Sequence, residues 1–525
     1  MDHQIEPLSV HGFDYAPRKL LDRLMYPGPY NDERIKSIFF GGLACGVGAS
    51  AVLRATAELA KSERSDPDMR KHFEKVIHVE NPPPLSLIHV DCSFWNNRRT
   101  MQRAIAEELH LGHVMPIFDK QDNDDDFRGV DSRDTKHSEI YLSLANKRFL
   151  MIFHYGGEED IDLAACGIPN PAFGTYASGK LLWSSYGRFK LTEEKIKLKT
   201  ISAYSRVIYL DPMYQMYSEL PSQLLRRSLH EEVAEVIGHI GMYDVNRATV
   251  LDCFMYSLFL TEQLHGKSIS VDYGWDTHAC NTWICDGILQ GDKACDVGSA
   301  LYGVIRMCYS YYGDKILARY LDGHRERYEG WISISCNQLA QDILVVPVNA
   351  SSYFLTFEGD GQLTVPNDLF QHSSNLRVLK LCKCSFDFAS PPFRCCHNLR
   401  FLWLAHCTNT GGEQVGGPCF PNLSVLDVRF TCFLLLEEMI ELMTNLREVN
   451  TKGFSWRTVS HAWRSLQNLH KLRLTESLDV ITVDTCPSVD MMKLELLDLS
   501  GNIHMKSLPA ISSTWCLKML ELGAC

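Results

Sequence analysis

The sequence predicts a chain in three parts: an α/β domain on a parallel sheet with a phosphate-loop-like turn, a mainly helical region, and a C-terminal leucine-rich-repeat solenoid. Three observations carry this. An apolar run, SIFF (Ser37–Phe40), passes through a glycine-rich turn into a helical pattern. Apolar strand segments then alternate with helical ones, as a parallel sheet covered on both faces requires. From Asn375 onward a short leucine motif returns every 23 to 25 residues.

Residues 1–33 form an N-terminal extension and 34–202 the α/β domain. RIKSIFF (Arg34–Phe40) is the first strand, and SAVLRATAELAKSE (Ser50–Glu63) the helix after the turn. NPPP (Asn81–Pro84) breaks the chain before a second strand, LSLIHVD (Leu85–Asp91). RRTMQRAIAEELHL (Arg98–Leu111) carries Met101, Ile105 and Leu109 at helical spacing. An acidic loop with Asp122, Asp124, Asp125, Asp126 and Asp131 follows, and its charge suits a solvated connection. RFLMIF (Arg148–Phe153) and KLLWSS (Lys180–Ser185) are the third and fourth strands. Residues 203–345 read as helical, with LPSQLLRRSLHEEVAEVIGHI and RATVLDCFMYSLFL as amphipathic helices, and 346–366 as a linker.

Residues 367–525 hold the repeats. NLRVLKL (Asn375–Leu381) recurs as NLRFLWL, NLSVLDV, NLREVNT, NLHKLRL, KLELLDL and CLKMLEL. The first leucines, from Leu376 to Leu517, are 23, 24, 23, 23, 25 and 23 residues apart. Each unit supplies a short strand, and stacking buries the leucines in one continuous core. With Leu379 and Leu381 inward, Val378, Lys380 and Cys382 take the opposite, concave face. The middle column there is Lys380, Trp403, Asp427, Asn450, Arg473, Asp498 and Glu521. Trp403 is expected in water beside Lys380 and Asp427, and mixed charge around an exposed aromatic suits protein recognition. The chain stops at Cys525 without a polar capping unit, which predicts a truncated product.

A net charge of −12 and a pI near 5.9 argue against nucleic acid as a partner. No apolar run suits a secretory signal or a membrane span, so a cytoplasmic, soluble protein is expected. The 19 cysteines then read as buried thiols. Neither Cys382-x-Cys384 nor Cys395-Cys396 has zinc spacing, and the histidines in HVDC (His89–Cys92) and DTHAC (Asp276–Cys280) read as core residues.

A glycine-rich loop, a parallel sheet, a helical region and leucine-rich repeats, in that order, resemble the plant intracellular immune receptors, the NB-ARC leucine-rich-repeat disease resistance proteins. VDCSFWNNRRTMQRAIAEEL resembles the family's second strand and following helix, and RFLMIF its Walker B strand. DCFMYSLFL (Asp252–Leu260) resembles the winged-helix motif C-F-x-Y-C, and NTWICDGIL (Asn281–Leu289) resembles Y-W-I-A-E-G-F. The resemblance implies a plant defence protein with a winged-helix region and a nucleotide switch holding ADP or ATP at Gly46, Val47, Gly48, Ala49 and Ser50.

The departures from the family pattern weaken that site. A phosphate loop reads G-x-x-x-x-G-K-[ST], with its lysine on the β/γ oxygens. Aligned on Gly48, this chain has Leu43 for the first glycine and Ala49 for the lysine. Losing one charge-assisted hydrogen bond costs about 1.5–3 kcal/mol, or roughly 10- to 150-fold in affinity. His154 and Tyr155 stand where relatives have two aspartates, with Glu158 and Glu159 further along, and Ser184, Ser185 and Tyr186 replace T-T-R. No G-L-P-L or Met-His-Asp motif is evident. A degenerate nucleotide site without hydrolysis or metal is therefore expected. Three readings stand: a defence protein acting through protein partners at its repeats, an ADP/ATP-binding switch, and a non-functional relic. About 35 residues before the first strand leave no room for a signalling domain.

Overall fold

The computed structural model describes residues 5–9, 15–25, 37–41, 48–65, 86–92, 98–116, 135–145, 149–155, 167–169, 179–184, 190–191, 205–211, 220–242, 244–262, 273–304, 306–307, 328–336, 346–412, 420–431, 437–453, 466–476, 492–505 and 516–523. The chain divides into two compact units, one of Met1–Leu251 and Ala300–Asp322, the other of Asp252–Ser299 and Gly323–Cys525.

The first unit holds β1 (Ile5–Ser9), β2 (Ser37–Phe40), β3 (Ser86–Cys92), β4 (Phe149–Tyr155), β5 (Lys180–Ser184), β6 (Lys190–Leu191) and β7 (Ser205–Asp211). All but β6 form a six-stranded parallel sheet in the order β1-β7-β2-β5-β4-β3. A two-residue β8 (Arg306–Met307) pairs with β6. The helices are α1 (Ala16–Met25), α2 (Ala49–Ser65), α3 (Arg98–Glu108), α4 (Thr135–Ala145) and α5 (Leu220–Ile240). The central strands are apolar without alternation because helices cover both faces. One face packs Phe39, Ile88, Val90, Met151, Phe153 and Trp183 against Ile105 of α3 and Ile140 and Leu144 of α4. In α2, Val52, Leu53, Thr56, Ala57 and Ala60 are buried, the stripe a 3.6-residue period dictates.

The helices α6 (Arg247–Glu262) and α8 (Ala294–Val304) cross the boundary between the units, while α7 (Tyr273–Asp286) lies wholly in the second. The second unit is built on a nine-stranded parallel sheet of β9 (Trp331–Cys336), β10 (Ser352–Phe357), β12 (Val378–Cys382), β14 (Phe401–Ala405), β16 (Val425–Asp427), β17 (Glu448–Lys452), β18 (Lys471–Thr475), β19 (Leu496–Asp498) and β20 (Met519–Glu521), neighbours in that order. Each repeat thus adds one strand, and the leucine-rich-repeat solenoid stands on this register. Leu379, Leu402, Leu426, Val449, Leu472 and Leu497 enter a single core with the leading leucines. Between repeats, β11 (Leu363–Thr364), β13 (Cys384–Phe386) and β15 (Thr408–Asn409) form a three-stranded sheet, and α9 (Glu437–Leu442) precedes β17.

Two further devices recur with the repeat. In the five motifs that open on asparagine, that residue donates its side-chain amide to a carbonyl one repeat back, as from Asn398 to Ser374 at 2.8 Å, Asn422 to His397 at 3.0 Å and Asn445 to Pro421 at 2.8 Å. Past the strand, Lys383, His406, Phe430, Gly453, Glu476 and Gly501 all have positive φ, between 50° and 77°. Each follows its leading leucine by seven positions. The left-handed residue turns its N–H toward the next repeat, as from Lys383 to Ala405 O and from Gly453 to Thr475 O, both 2.9 Å.

Several boundaries differ from the sequence-based expectation. The extension 1–33 contributes β1, which pairs with β7, and helix α1. The region from 203 opens on β7, which neighbours β2 in the first sheet. The expected linker, 346–366, carries β10 and β11, because Tyr353, Leu355 and Phe357 join the repeat core although no leucine motif marks them. In α6, Cys253, Phe254, Met255 and Tyr256 are all buried, so this helix is enclosed rather than two-faced. The acidic loop at 122–131, Glu158, Glu159, Ser185 and Tyr186 lie outside the described residues, as do Gly46 and Val47.

Candidate functional site

Two places are expected to carry function, and in each some of the described residues are engaged by the chain's own side chains. The first is the turn after β2, in the first unit. Gly48 (φ 78°) ends the turn and Ala49 opens α2, with Val52 N–H bonding Gly48 O at 3.0 Å. The N–H groups at such a helix start attract anions. Here the Gly48 N–H donates to the Glu232 carboxylate of α5 at 3.0 Å. Glu232 is buried at a position of the apolar stripe holding Leu229, Val233 and Val236. Ser50 Oγ lies 3.1 Å from His154 Nδ1, at the end of β4. Arg54 of α2 pairs with Glu235 of α5. A carboxylate on Gly48 and an imidazole on Ser50 do not fit a nucleoside phosphate with its magnesium ion, since Glu232 repels a second anion. Ala49 is buried at the start of α2.

The second is the strand face opposite the leucine core. The expected column exists as a backbone ladder: Lys380 pairs with Trp403, Trp403 with Asp427, Asp427 with Asn450, Asn450 with Arg473, Arg473 with Asp498, and Asp498 with Glu521. Its exposure was misjudged. Trp403 is 3% exposed, Lys380 1%, and Asp427 and Asn450 0%, while Glu521 on β20 remains exposed. The cover is α7. His278 Nε2 meets Asp427 Oδ2 at 2.6 Å, and the His278 ring lies 4.9 Å from Phe401 and 5.0 Å from Trp403. Asn281, one turn on, bonds His278 Nδ1 at 3.1 Å and Glu448 Oε2 at 3.0 Å. At the far end, Asp286 accepts from Ser352 Oγ at 3.0 Å and Trp331 Nε1 at 2.9 Å. The helix is held from behind by Trp283 Nε1 on Ser257 Oγ of α6 at 3.2 Å.

Burial sets the electrostatics of this face. The Asp427 carboxyl is pushed up by burial, but the His278 hydrogen bond and charge, with Arg429, outweigh this and hold it below its ordinary value. Arg429 grips both Asp427 oxygens, at 2.6 to 3.1 Å. Glu448 likewise loses to burial but is drawn below its ordinary value by His278, Lys471 and Arg473, with Asn450 bonding it. Lys380 gains less: burial lowers its pKa to about 8, partly offset by Cys382 and Asp427. Its ammonium sits 3.9 Å over the Trp403 ring, a cation–π contact.

No family model matches the chain, and no curated protein matches it. Similar solved structures include an internalin from Listeria monocytogenes, at 14% identity and a TM-score of 0.25, covering 34% of this chain and 55% of that one. A leucine-rich-repeat protein of Leptospira interrogans shares 18% identity at a TM-score of 0.27, covering 36% of this chain and 46% of that one. This chain therefore spans about half the length of the solved structures it resembles. At such scores these likenesses carry no argument, and the repeat architecture rests on the strand registers above.

His278, Asn281 and Glu232 have roles that sequence reasoning missed. His278 and Asn281 sit three apart on one helix face, a pattern that many buried helices share. The one local signal for Glu232 is a carboxylate inside an apolar stripe. Among the described residues no group of histidine, cysteine and acidic side chains could hold a metal ion, and no helix is long and apolar enough to cross a membrane.

Proposed function

We propose that this chain is a protein-interaction repeat protein, built on the plan of the NB-ARC leucine-rich-repeat disease resistance proteins, whose recognition face is partly held by its own helix. One observation carries the reading: the polar and aromatic strand ladder already engages a helix through His278–Asp427 at 2.6 Å and Asn281–Glu448 at 3.0 Å. A surface that recognises one helix by buried hydrogen bonds and aromatic contacts has the composition of a protein-binding site. Affinity capture with the full chain, beside a variant carrying Glu521→Ala on the exposed end of the ladder and a second carrying His278→Ala, tests it. The reading predicts that the first variant loses partners and the second gains them; identical capture by all three ends it.

The finer assignment, a cytoplasmic plant defence role, rests on the motif order and is part of the proposal. A fluorescent fusion in leaf cells tests the location. The proposal also assigns no ATP hydrolysis and at most weak ADP or ATP binding at the turn after β2. Ala49 in place of lysine and the Glu232–Gly48 bond support this. Titration with labelled ADP checks it; saturable micromolar binding accompanied by magnesium-dependent phosphate release would restore the switch reading.

A further inference from the structure

We infer that the repeat unit binds a small polyanion, of the multiply phosphorylated class, in a cavity where three arginines meet. The cavity measures ≈ 340 Å³ and is lined by Arg377, Arg400 and Arg447, with Ile284, Leu289 and Gln290 across from them. The volume is within the range of small-ligand sites. The arginines come from the repeat itself: each follows a leading leucine, in the three units that read N-L-R. Their backbones are laced together, Arg400 N–H to Arg377 O at 2.8 Å, Ser424 N–H to Arg400 O at 2.7 Å, and Arg447 N–H to Ser424 O at 2.7 Å. Arg377 and Arg400 are therefore one strand spacing apart, about 4.8 Å, and Arg400 and Arg447 two, about 9.6 Å.

Among the described residues no carboxylate pairs with any of the three guanidinium groups. The nearby acids are turned elsewhere. Asp286 gives its carboxylate to Ser352 and Trp331, and Glu448 gives its own to Asn281, Asn450 and Arg473. Asp292, just past Gly291 of the cavity wall, is exposed. Arg377 bonds Asp286 O at the carboxyl end of α7 at 2.6 Å, which fixes its head at the cavity. Arg400 and Arg447 are exposed and remain for a ligand. Guanidinium side chains rooted one and two strand spacings apart on one cavity wall suit several phosphate groups on one molecule, each engaged through paired N–H donors. The cavity's limited volume favours a compact anion over a peptide chain.

Calorimetric titration of the full chain at low ionic strength with tripolyphosphate tests the inference. Saturable binding is expected, weakened at least tenfold by the Arg400→Gln/Arg447→Gln double variant and unchanged in Arg394→Gln, whose side chain bonds Ser390 elsewhere on the repeats. Inorganic phosphate should bind much more weakly, because one phosphate reaches fewer arginines. Both arginines in the double variant are exposed, and circular dichroism verifies that it folds. No binding of tripolyphosphate, equal binding by the double variant, or equally tight binding of an oligoglutamate peptide at the same arginines would overturn it.

Discussion

Asp427 shows how a single residue ties the second unit together. It reaches a helix through His278 and its own strand's turn through Arg429, with no access to water. Breaking a buried ionic group by removing one partner's charge costs about 3–5 kcal/mol. Asp427→Asn should lower the unfolding free energy by about 3 kcal/mol in urea titration. Its carboxyl, like that of Glu448, is held below its ordinary value in the folded chain. The stabilisation is thus complete above the unfolded carboxyl pKa near 4 and is lost as pH falls through the lower folded values. In Asp427→Asn the acid limb of the stability profile should flatten. Lys380 has the opposite sense. Its folded pKa of about 8 lies below the ordinary 10.5, so between those values the unfolded chain binds a proton that the folded chain does not. Stability should therefore rise as pH increases from about 8 to 10.5, by about 3 kcal/mol. Lys380→Met should remove that rise and stabilise the protein at neutral pH by about 1–2 kcal/mol, the lost contact with Trp403 offsetting part of the gain.

At the level of elements, six successive repeats, those of β12 to β19, each carry one left-handed residue after the strand. Lys383, His406, Phe430 and Glu476 hold this conformation with a side chain attached, which costs each about 1–2 kcal/mol. Gly453 holds it without strain. Gly453→Ala should destabilise the repeats by about 1 kcal/mol, whereas Lys383→Gly should leave stability unchanged or slightly raised, since relieved strain offsets the added freedom of the unfolded chain. Equal losses from both changes, read from thermal unfolding midpoints, would remove the strain argument.

For the whole molecule, the consequential feature is that helices α6 and α7 fold with the repeats. A chain beginning at residue 328 leaves out both, uncovering Phe401 and Trp403, which are 0% and 3% exposed when α7 is present. Such a chain should bind a hydrophobic dye and melt at a lower temperature than the full protein. Silence of the dye would mean that the strand face closes by another route.

Most of the repeat unit was legible in the sequence, because a solenoid repeats its local rules. Leu376 to Leu517 set the strand spacing, and the two-residue alternation of a strand correctly put Lys380, Trp403, Asp427, Asn450, Arg473, Asp498 and Glu521 in one ladder. The apolar run of β2 followed by glycines likewise foretold a turn into α2. Periodicity states which residues share a face; it does not state what lies on that face. Trp403 is covered by a helix more than 100 residues earlier in the chain, and the N–H of Gly48 is met by a carboxylate 184 positions later. Such partners are chosen by three-dimensional packing and leave no spacing to read. β1 and β10 escaped for the same reason, since each is a strand by virtue of the neighbour it pairs with. The sequence alone determined the repeat, its core and its ladder, because these depend on residues close in the chain; the tertiary structure alone decided that Trp403 and Asp427 of the ladder and Gly48 and Ser50 at the helix start are engaged from within, because burying aromatic and charged side chains requires partners that only distant segments supply.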